Sequence, residues 1–216
     1  MNITIIIYHS LNKPTKNINL LYSIHNIDKK RVYMITIYIR EHSTHNQGYS
    51  FNYRANLNNY TNSNDLLEDL FEFTKTSLEA NEIQTRDFQN MEEFLIIDYE
   101  LDEYIDLEIG EYENLDTLIE INDRLNELSK EEITLIDCLI GNGEKFFQAL
   151  EKVQNQEVMS FNGTPSEYAE EIVEEGYFGE INNALSFYID FEKLANDLQI
   201  NGDIIYENKH NIVYSY

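Results

Sequence analysis

The chain has 216 residues, of which 42% are hydrophobic, and its 40 acidic and 15 basic side chains give a formal net charge of −25. A disordered acidic tail is excluded, because such a segment is poor in large apolar side chains and this chain carries 16 Tyr and 11 Phe. The single cysteine, Cys138, excludes an intrachain disulfide and a multi-cysteine metal site.

The negative charge lies in the last three-quarters of the chain. Residues 1–60 hold two acids and seven bases, whereas residues 61–216 hold 38 acids and eight bases. Residues 1–33 are predicted to be a basic extension outside the folded core, and Met34, which opens MITIYIREHS, is an alternative start of translation. The five bases of this extension are scattered, which is typical of solvated surface, so no contact with nucleic acid is predicted.

Neither a targeting segment nor a membrane span is predicted. The N-terminal MNITIIIYHS is apolar, but no basic region precedes it, as one does in a signal peptide. No apolar run approaches the roughly 18 residues that cross a bilayer. We therefore expect a cytoplasmic protein that does not contact membranes.

Residues 34–108 are predicted to form a small domain of sheet and helix. Alternation in ITIYIR and YSFNYRANL predicts two strands joined by a turn that contains Gly48. The stretch DLLEDLFEFTKTSLEA repeats its apolar residues at helical spacing, and Ser63 or Asn64 is its expected cap. A third strand is predicted at 93–99.

Residues 109–155 are predicted to form a central helical bundle. Leucines and isoleucines line one face of its first helix and leave the acids toward water. Ser129 and Glu132 predict a capping box for the second helix, which ends at Gly141-Asn142-Gly143. Cys138 is expected to be buried in this helix, and a third helix follows with Phe146 and Phe147.

Residues 156–216 are predicted to form a second α+β domain. A strand at 158–161 precedes Thr164-Pro165-Ser166-Glu167, which predicts a capped helix start. This helix is expected to run to Gly176, and another spans about 189–198. Two closing strands, GDIIYE and NIVYSY, flank a polar turn.

No motif of a known catalytic or cofactor site is present. His42 and His45 have H-x-x-H spacing without a third ligand nearby, and the aspartate-rich stretches lack the glycine and glutamate positions of a calcium loop. The chain has no P-loop, no G-x-G-x-x-G and no G-x-S-x-G. We therefore predict that the protein is not an enzyme and uses no cofactor or metal.

The charge pattern suggests imitation of a polyanion. Residues 34–216 hold 39 acids and 10 bases, and their net charge of −29 equals that of roughly 50 Å of duplex, about 15 base pairs. Alternate strand residues lie ~6–7 Å apart, and helix residues three or four apart have Cβ atoms ~5–6 Å apart. Folded, aromatic-rich elements would hold the carboxylates in such an array.

Two stretches make this reading specific. Residues 168–200 read YAEEIVEEGYFGEINNALSFYIDFEKLANDLQI, an acidic helix, a Gly-aromatic-Gly turn and Tyr-Ile-Asp-aromatic-Glu. Residues 94–132 read FLIIDYELDEYIDLEIGEYENLDTLIEINDRLNELSKEE, an acidic strand and a leucine-spaced acidic helix. Both resemble the ArdA antirestriction family, a group associated with mobile genetic elements.

The resemblance implies an elongated, three-domain DNA mimic that forms a homodimer through its C-terminal domain. It would block the DNA-binding groove of type I restriction–modification enzymes, at their DNA-binding and methyltransferase core. The carboxylates that the resemblance assigns to the partner-binding surface are Asp98, Glu100, Asp102, Glu103, Asp106, Glu120, Asp123, Glu127, Glu170, Glu171, Glu174, Glu175, Asp190, Glu192 and Asp197. The alternative function is an acidic adaptor that binds another basic DNA-binding or nucleoid protein.

Overall fold

The structure is a computed structural model that describes residues 33–83, 93–101 and 105–215, except for the side chains of Asn183 and Ala184. The predicted extension at 1–33 lies outside these residues but for Tyr33, which is buried in the core. Helices and two small antiparallel sheets make up the described parts, so the predicted α+β class is confirmed. The division into three domains stays a prediction.

The first sheet contains the three strands expected in the N-terminal part. Its strands are β1 (Thr36–Glu41), β2 (Tyr53–Asn56) and β3 (Phe94–Glu100), with β1 in the centre and both neighbours antiparallel to it. The isoleucines of β1 are buried, because the inner face of this sheet packs on the core. The first and third strands are confirmed within one residue at their ends, whereas the second begins at Tyr53, four residues after the predicted start.

A short helix, α1 (His42–Asn46), precedes Gly48 where a simple turn was predicted. The Glu41 carboxylate begins it by accepting the amides of Ser43 and Thr44 at 2.8 and 2.6 Å. Glu41 is only 1% exposed. Burial alone would raise its pKa, but the hydrogen bonds from Thr44 and Ser43 outweigh burial and lower the pKa of Glu41 below its usual value. Gly48 follows with a φ of 90°.

Helix α2 (Ser63–Ala80) is present as predicted, with a different cap. The side chain of Asn62 accepts the amide of Asp65 at 3.1 Å, so neither Ser63 nor Asn64 is the cap. Three consecutive residues can all serve as caps, and sequence alone did not select among them.

Three helices follow, as predicted for the central segment: α3 (Leu115–Glu127), α4 (Lys130–Gly141) and α5 (Phe146–Gln154). The capping box of α4 is confirmed, since Ser129 Oγ accepts the Glu132 amide at 3.2 Å and the Glu132 carboxylate accepts the Ser129 amide at 2.8 Å. Cys138 is buried, as expected.

The C-terminal part contains β4 (Met159–Asn162), α6 (Pro165–Glu174), α7 (Asn183–Ser186), α8 (Phe191–Asn201), β5 (Ile205–Glu207) and β6 (Ile212–Ser215). Strand β6 is central in an antiparallel sheet of order β4-β6-β5. The Thr164–Glu167 capping box is confirmed. Helix α6 ends two residues before the predicted Gly176, and α7 was not predicted.

Two hydrophobic cores support these elements. The first joins the β1–β3 sheet with α2 to α5, and Ile212 and Tyr214 of β6 also enter it. The second lies between α6, α8 and one face of the second sheet, and it includes Ala169, Ala195 and Val213. None of the helices that the structure describes is long and apolar enough to span a bilayer.

Candidate partner-binding surface

Helix α3 separates its charges from its apolar residues. Its buried face includes Leu118, Ile119 and Leu125. The exposed face carries acids at intervals of four, three and four residues, which places them along one stripe with Cβ atoms ~5–6 Å apart. These exposed acids are Asp116, Glu120, Asp123 and Glu127.

The position of α3 is fixed by two asparagines, of which one is buried and the other half-buried. Asn122 is fully buried, and its Oδ1 accepts the amide of Ile35 at 3.0 Å while its Nδ2 donates to Asn58 Oδ1 at 2.7 Å. One turn later, Asn126 Oδ1 accepts the amide of Tyr33 at 2.9 Å. These bonds join α3 to the chain that enters β1, so the acidic stripe has a set position beside the first sheet.

Strand β3 places Asp98 and Glu100 on the solvent side. Both are exposed, but Glu100 has close partners: it accepts the Tyr38 hydroxyl at 2.6 Å and pairs with Arg54 Nη2 at 3.1 Å. The Tyr38 hydrogen bond, followed by that of Arg54, lowers the pKa of Glu100. The carboxylate therefore stays ionised, but a nearby guanidinium offsets part of its field.

Asp106 is exposed, and its backbone is held by a buried carboxylate. Its amide donates to Asp137 Oδ1 at 2.7 Å. The other oxygen of Asp137 contacts Lys209 Nζ at 2.7 Å and His210 Nε2 at 2.6 Å. Burial opposes ionisation of Asp137, but the hydrogen bonds from Lys209, His210 and Asp106 outweigh it and lower the pKa of this carboxyl.

The C-terminal acids lie on two helices. Ala169, Ile172 and Val173 turn one side of α6 toward the interior. The opposite side exposes the acids of the sequence EEIVEE, and α8 exposes two more. Asp190 caps α8 by accepting the Lys193 amide at 3.0 Å. The exposed C-terminal acids are Glu170, Glu171, Glu174, Glu175, Asp190, Glu192 and Asp197.

The predicted surface residues are thus exposed wherever the structure describes them. Asp102 and Glu103 lie outside the described residues. The other thirteen all face solvent. A carboxylate array needs this arrangement, with apolar residues anchoring each element and charges on its outer side.

Sequence reasoning missed two features of this surface. Arg124 lies within the α3 stripe, with nitrogen atoms 3.7 Å from Glu120 and 3.4 Å from Glu127, and its i−4 and i+3 spacing could have revealed both pairs. Helix α2 also exposes acids on the side opposite its buried stripe, at Asp65, Glu68, Asp69, Glu72 and Glu79.

Cys138 could act as a nucleophile only as a thiolate, and His45 could bind a metal ion only together with further ligands. Burial raises the pKa of Cys138 to about 12, which leaves almost no reactive thiolate at neutral pH. His45 Nδ1 lies 3.0 Å from Arg40 Nη1. Among residues 33–83, 93–101 and 105–215, no three His, Cys, Asp or Glu side chains are grouped so that they could hold a metal ion.

Comparison with protein families identifies the family of the chain that carries this surface. The family model of the antirestriction protein ArdA matches residues 37–211. The chain belongs to the ArdA antirestriction family. The match covers most of the chain and includes both stretches that carried the resemblance, and ArdA proteins are inhibitors of restriction enzymes rather than enzymes. No curated protein matches the chain.

Proposed function

We propose that this ArdA protein mimics B-DNA and blocks the DNA-binding groove of a type I restriction–modification enzyme. The observation that carries the proposal is the exposure of all thirteen described surface acids, most of which lie on strands and helices whose opposite sides are buried. Family membership supplies the class of target, because ArdA proteins act against restriction enzymes.

The physical basis is electrostatic substitution for phosphates. Lysines and arginines that bind DNA release condensed counterions, so their affinity falls steeply with salt. A rigid carboxylate array offers the same basic groove a similar density of charge without a flexible chain to order. Because the interaction is spread over many charges, no single carboxylate is essential.

Competition with DNA tests the proposal directly. The full chain is titrated into a type I methyltransferase that already holds a fluorescent duplex, at several salt concentrations. We expect stoichiometric release of the duplex, with an affinity that falls as salt rises, as DNA affinity does. Failure to release the duplex near physiological salt would contradict the proposal. Binding to a nucleoid protein instead would favour the acidic adaptor.

We also propose that the protein forms a homodimer through residues 156–216. The support is a set of large apolar side chains exposed between α6 and α8, among which Phe187 is 90% exposed. Exposed apolar surface of this kind is typical of an interaction site. The other exposed members are Tyr177, Phe178, Leu185 and Tyr188.

Sedimentation of the full chain tests the dimer. Phe187→Ser is expected to shift the protein toward the monomer, because the substitution removes apolar area from the interface. Tyr112→Ser is the matched control, since Tyr112 is also an exposed aromatic but lies outside residues 156–216. A wild-type chain that sediments as a monomer at every concentration would contradict the homodimer.

A further inference from the structure

An apolar groove opens beside the most acidic part of the chain. It lies between α3, the beginning of α5 and the segment around Glu108, and its volume is about 480 Å³. Clefts of about 300–1,000 Å³ accommodate small organic groups, so one large side chain fits. The apolar lining consists of Leu107, Ile109, Leu118, Ile121, Phe146 and Phe147.

Phe147 is the most accessible apolar residue of this lining. It is 38% exposed, whereas its neighbour Phe146 is buried. The two rings meet edge to face with centroids 5.3 Å apart. Phe146 therefore holds the Phe147 ring at the opening of the groove, in contact with solvent.

Three carboxylates are among the side chains that line the groove. Glu108 and Glu113 line it, together with Glu144 and Lys145. Glu144 is paired with Lys152. The other three charged lining residues, Glu108, Glu113 and Lys145, together have a net charge of −1. Most of the lining residues belong to the segment 91–132, which holds 16 acids and two bases, so the surroundings of the groove extend this bias.

Imitation of phosphates gives no role to an apolar groove, because phosphates and riboses do not present one to a basic protein. A groove with an apolar floor and an acidic rim instead complements a protein surface on which a large apolar side chain is flanked by Lys or Arg. Anchoring side chains of this kind dominate the energy of many interfaces.

We propose that this groove is an anchor site for one Leu, Met or Phe side chain presented by the basic DNA-binding surface of the restriction enzyme. The inference rests on the proposed function and adds to it a contact that DNA does not make. Charge would bring the two surfaces together, and the anchor would slow their separation. The inhibitor would then bind more tightly than its charge alone allows.

Two pairs of variants of the full chain test the anchor. Phe147→Ala removes the accessible ring, and Tyr112→Ala is its control, because Tyr112 is 73% exposed and does not line the groove. Thr117→Gln places a longer polar side chain at the groove without changing charge. Ser50→Gln is its control, at an exposed position between α1 and β2 that does not line the groove.

The measured quantity is the affinity for a type I methyltransferase, obtained by duplex release at several salt concentrations. We expect Phe147→Ala and Thr117→Gln each to weaken binding by about tenfold to thirtyfold. The factor should be the same at every salt concentration, because apolar contacts release no counterions. Both controls should bind like the wild type.

The outcomes separate the anchor from the proposed function. If the wild type releases the duplex but the groove variants match their controls, the anchor is wrong and the mimic stands. If the wild type does not release it, the proposed function fails.

A photo-crosslinking residue at position 147 identifies the occupant. Attachment to an apolar residue of the methyltransferase next to Lys or Arg supports the anchor. Attachment to a second copy of the inhibitor overturns it.

Discussion

The described structure has two regions that hold their acids in different ways. In residues 33–155 the acidic elements surround the first core, whose 26 buried hydrophobic residues include only two from β6. In residues 156–215 the second core has six buried members among those described, and aromatic side chains such as Phe187 remain exposed. We infer that the core of the first region is large enough to hold its acids in position. The second region has a smaller core, so we infer that its acids are held in position only when another protein surface covers the exposed aromatic side chains.

Buried polar groups reinforce this difference. In the first region Asn122 satisfies the amide of Ile35, and Glu41 satisfies two amides of α1. Asp137 joins the regions, because it lies on α4 and contacts Lys209 and His210 next to β6. Buried hydrogen bonds of this kind favour one arrangement over others, which is what a fixed charge pattern requires.

The largest effect is expected from neutralising several acids of one region together. The variant carries four substitutions in one chain: Asp98→Asn, Asp106→Asn, Glu120→Gln and Asp123→Asn. If each carboxylate replaces one phosphate, the slope of log affinity against log salt concentration, measured by duplex release, should fall in magnitude by about 3 to 4.

The matched set in the second region is Glu170→Gln, Glu174→Gln, Glu192→Gln and Asp197→Asn. If the two sets reduce this slope equally, both regions imitate DNA. If the second set leaves the slope unchanged, only the first region imitates DNA. If neither set changes the slope, the proposed carboxylate array is contradicted.

The link between the regions is tested by Asp137→Asn. Removing one member of a buried ion pair costs about 3–5 kcal/mol, and we expect about 2–3 kcal/mol in chemical denaturation because Lys209 is half-exposed. The control is Asp203→Asn, at an exposed position. A loss no larger than that of the control would mean that Asp137 does not hold the regions together.

The same carboxylate predicts a dependence on pH. Because the pKa of Asp137 is lowered in the folded protein, its contribution is complete above the ordinary value of 3.8 and is lost as the pH falls below 3.8 toward the folded value. The free energy of unfolding of the wild type should therefore approach that of Asp137→Asn in this acidic range. If the free energies of unfolding of the wild type and of Asp137→Asn differed by the same amount at all pH values, the ionised Asp137 carboxylate would not be the source of the stabilisation.

Within the first region, Asn122→Ala should cost about 1–3 kcal/mol of stability. The substitution leaves the buried amide of Ile35 without its acceptor. Asn64→Ala on the exposed surface of α2 is the control, and urea denaturation measures both. An equal, small loss in the two variants would show that the asparagine contacts do not position α3.

The smallest effect should have opposite signs in binding and stability. Arg124→Gln removes a base from the acidic stripe, so affinity for the enzyme should rise about twofold to fivefold, as expected for exposed charges worth about 0.2–1 kcal/mol. The loss of its pairs with Glu120 and Glu127 should lower stability by less than about 1 kcal/mol. Weaker binding would mean that Arg124 itself contacts the partner. Lys75→Gln removes a base from the acidic side of α2, and an equal rise in affinity would mean that α2 contributes to the same surface.

The elements with local signals were predictable from sequence. Capping boxes fixed the beginnings of α4 and α6, and apolar periodicity fixed α2, α3 and α5. Helix α1 was missed because it has only five residues and is capped by a buried Glu41. The exposed acids followed from the same periodicity, since a helix that buries one stripe must expose the other.

Contacts between distant residues were not predictable. Arg54 and Glu100 are 46 positions apart and meet only because β1 lies between β2 and β3. Asn122 and Asp137 did give a local signal, because each is a polar residue within an apolar pattern, but their partners at Ile35 and Lys209 depend on the fold. The groove at Phe147 likewise exists only once three segments pack together.

The burial of Cys138 has a practical consequence for measuring this protein. It is the only sulfhydryl of the chain, and it is 1% exposed and almost fully protonated at neutral pH. Maleimide dyes would therefore leave it unmodified and react selectively with a cysteine introduced on any outward helix face. Labelled inhibitors with the native interior unchanged can then report, by fluorescence energy transfer, how far apart two such positions lie before and after capture by the enzyme.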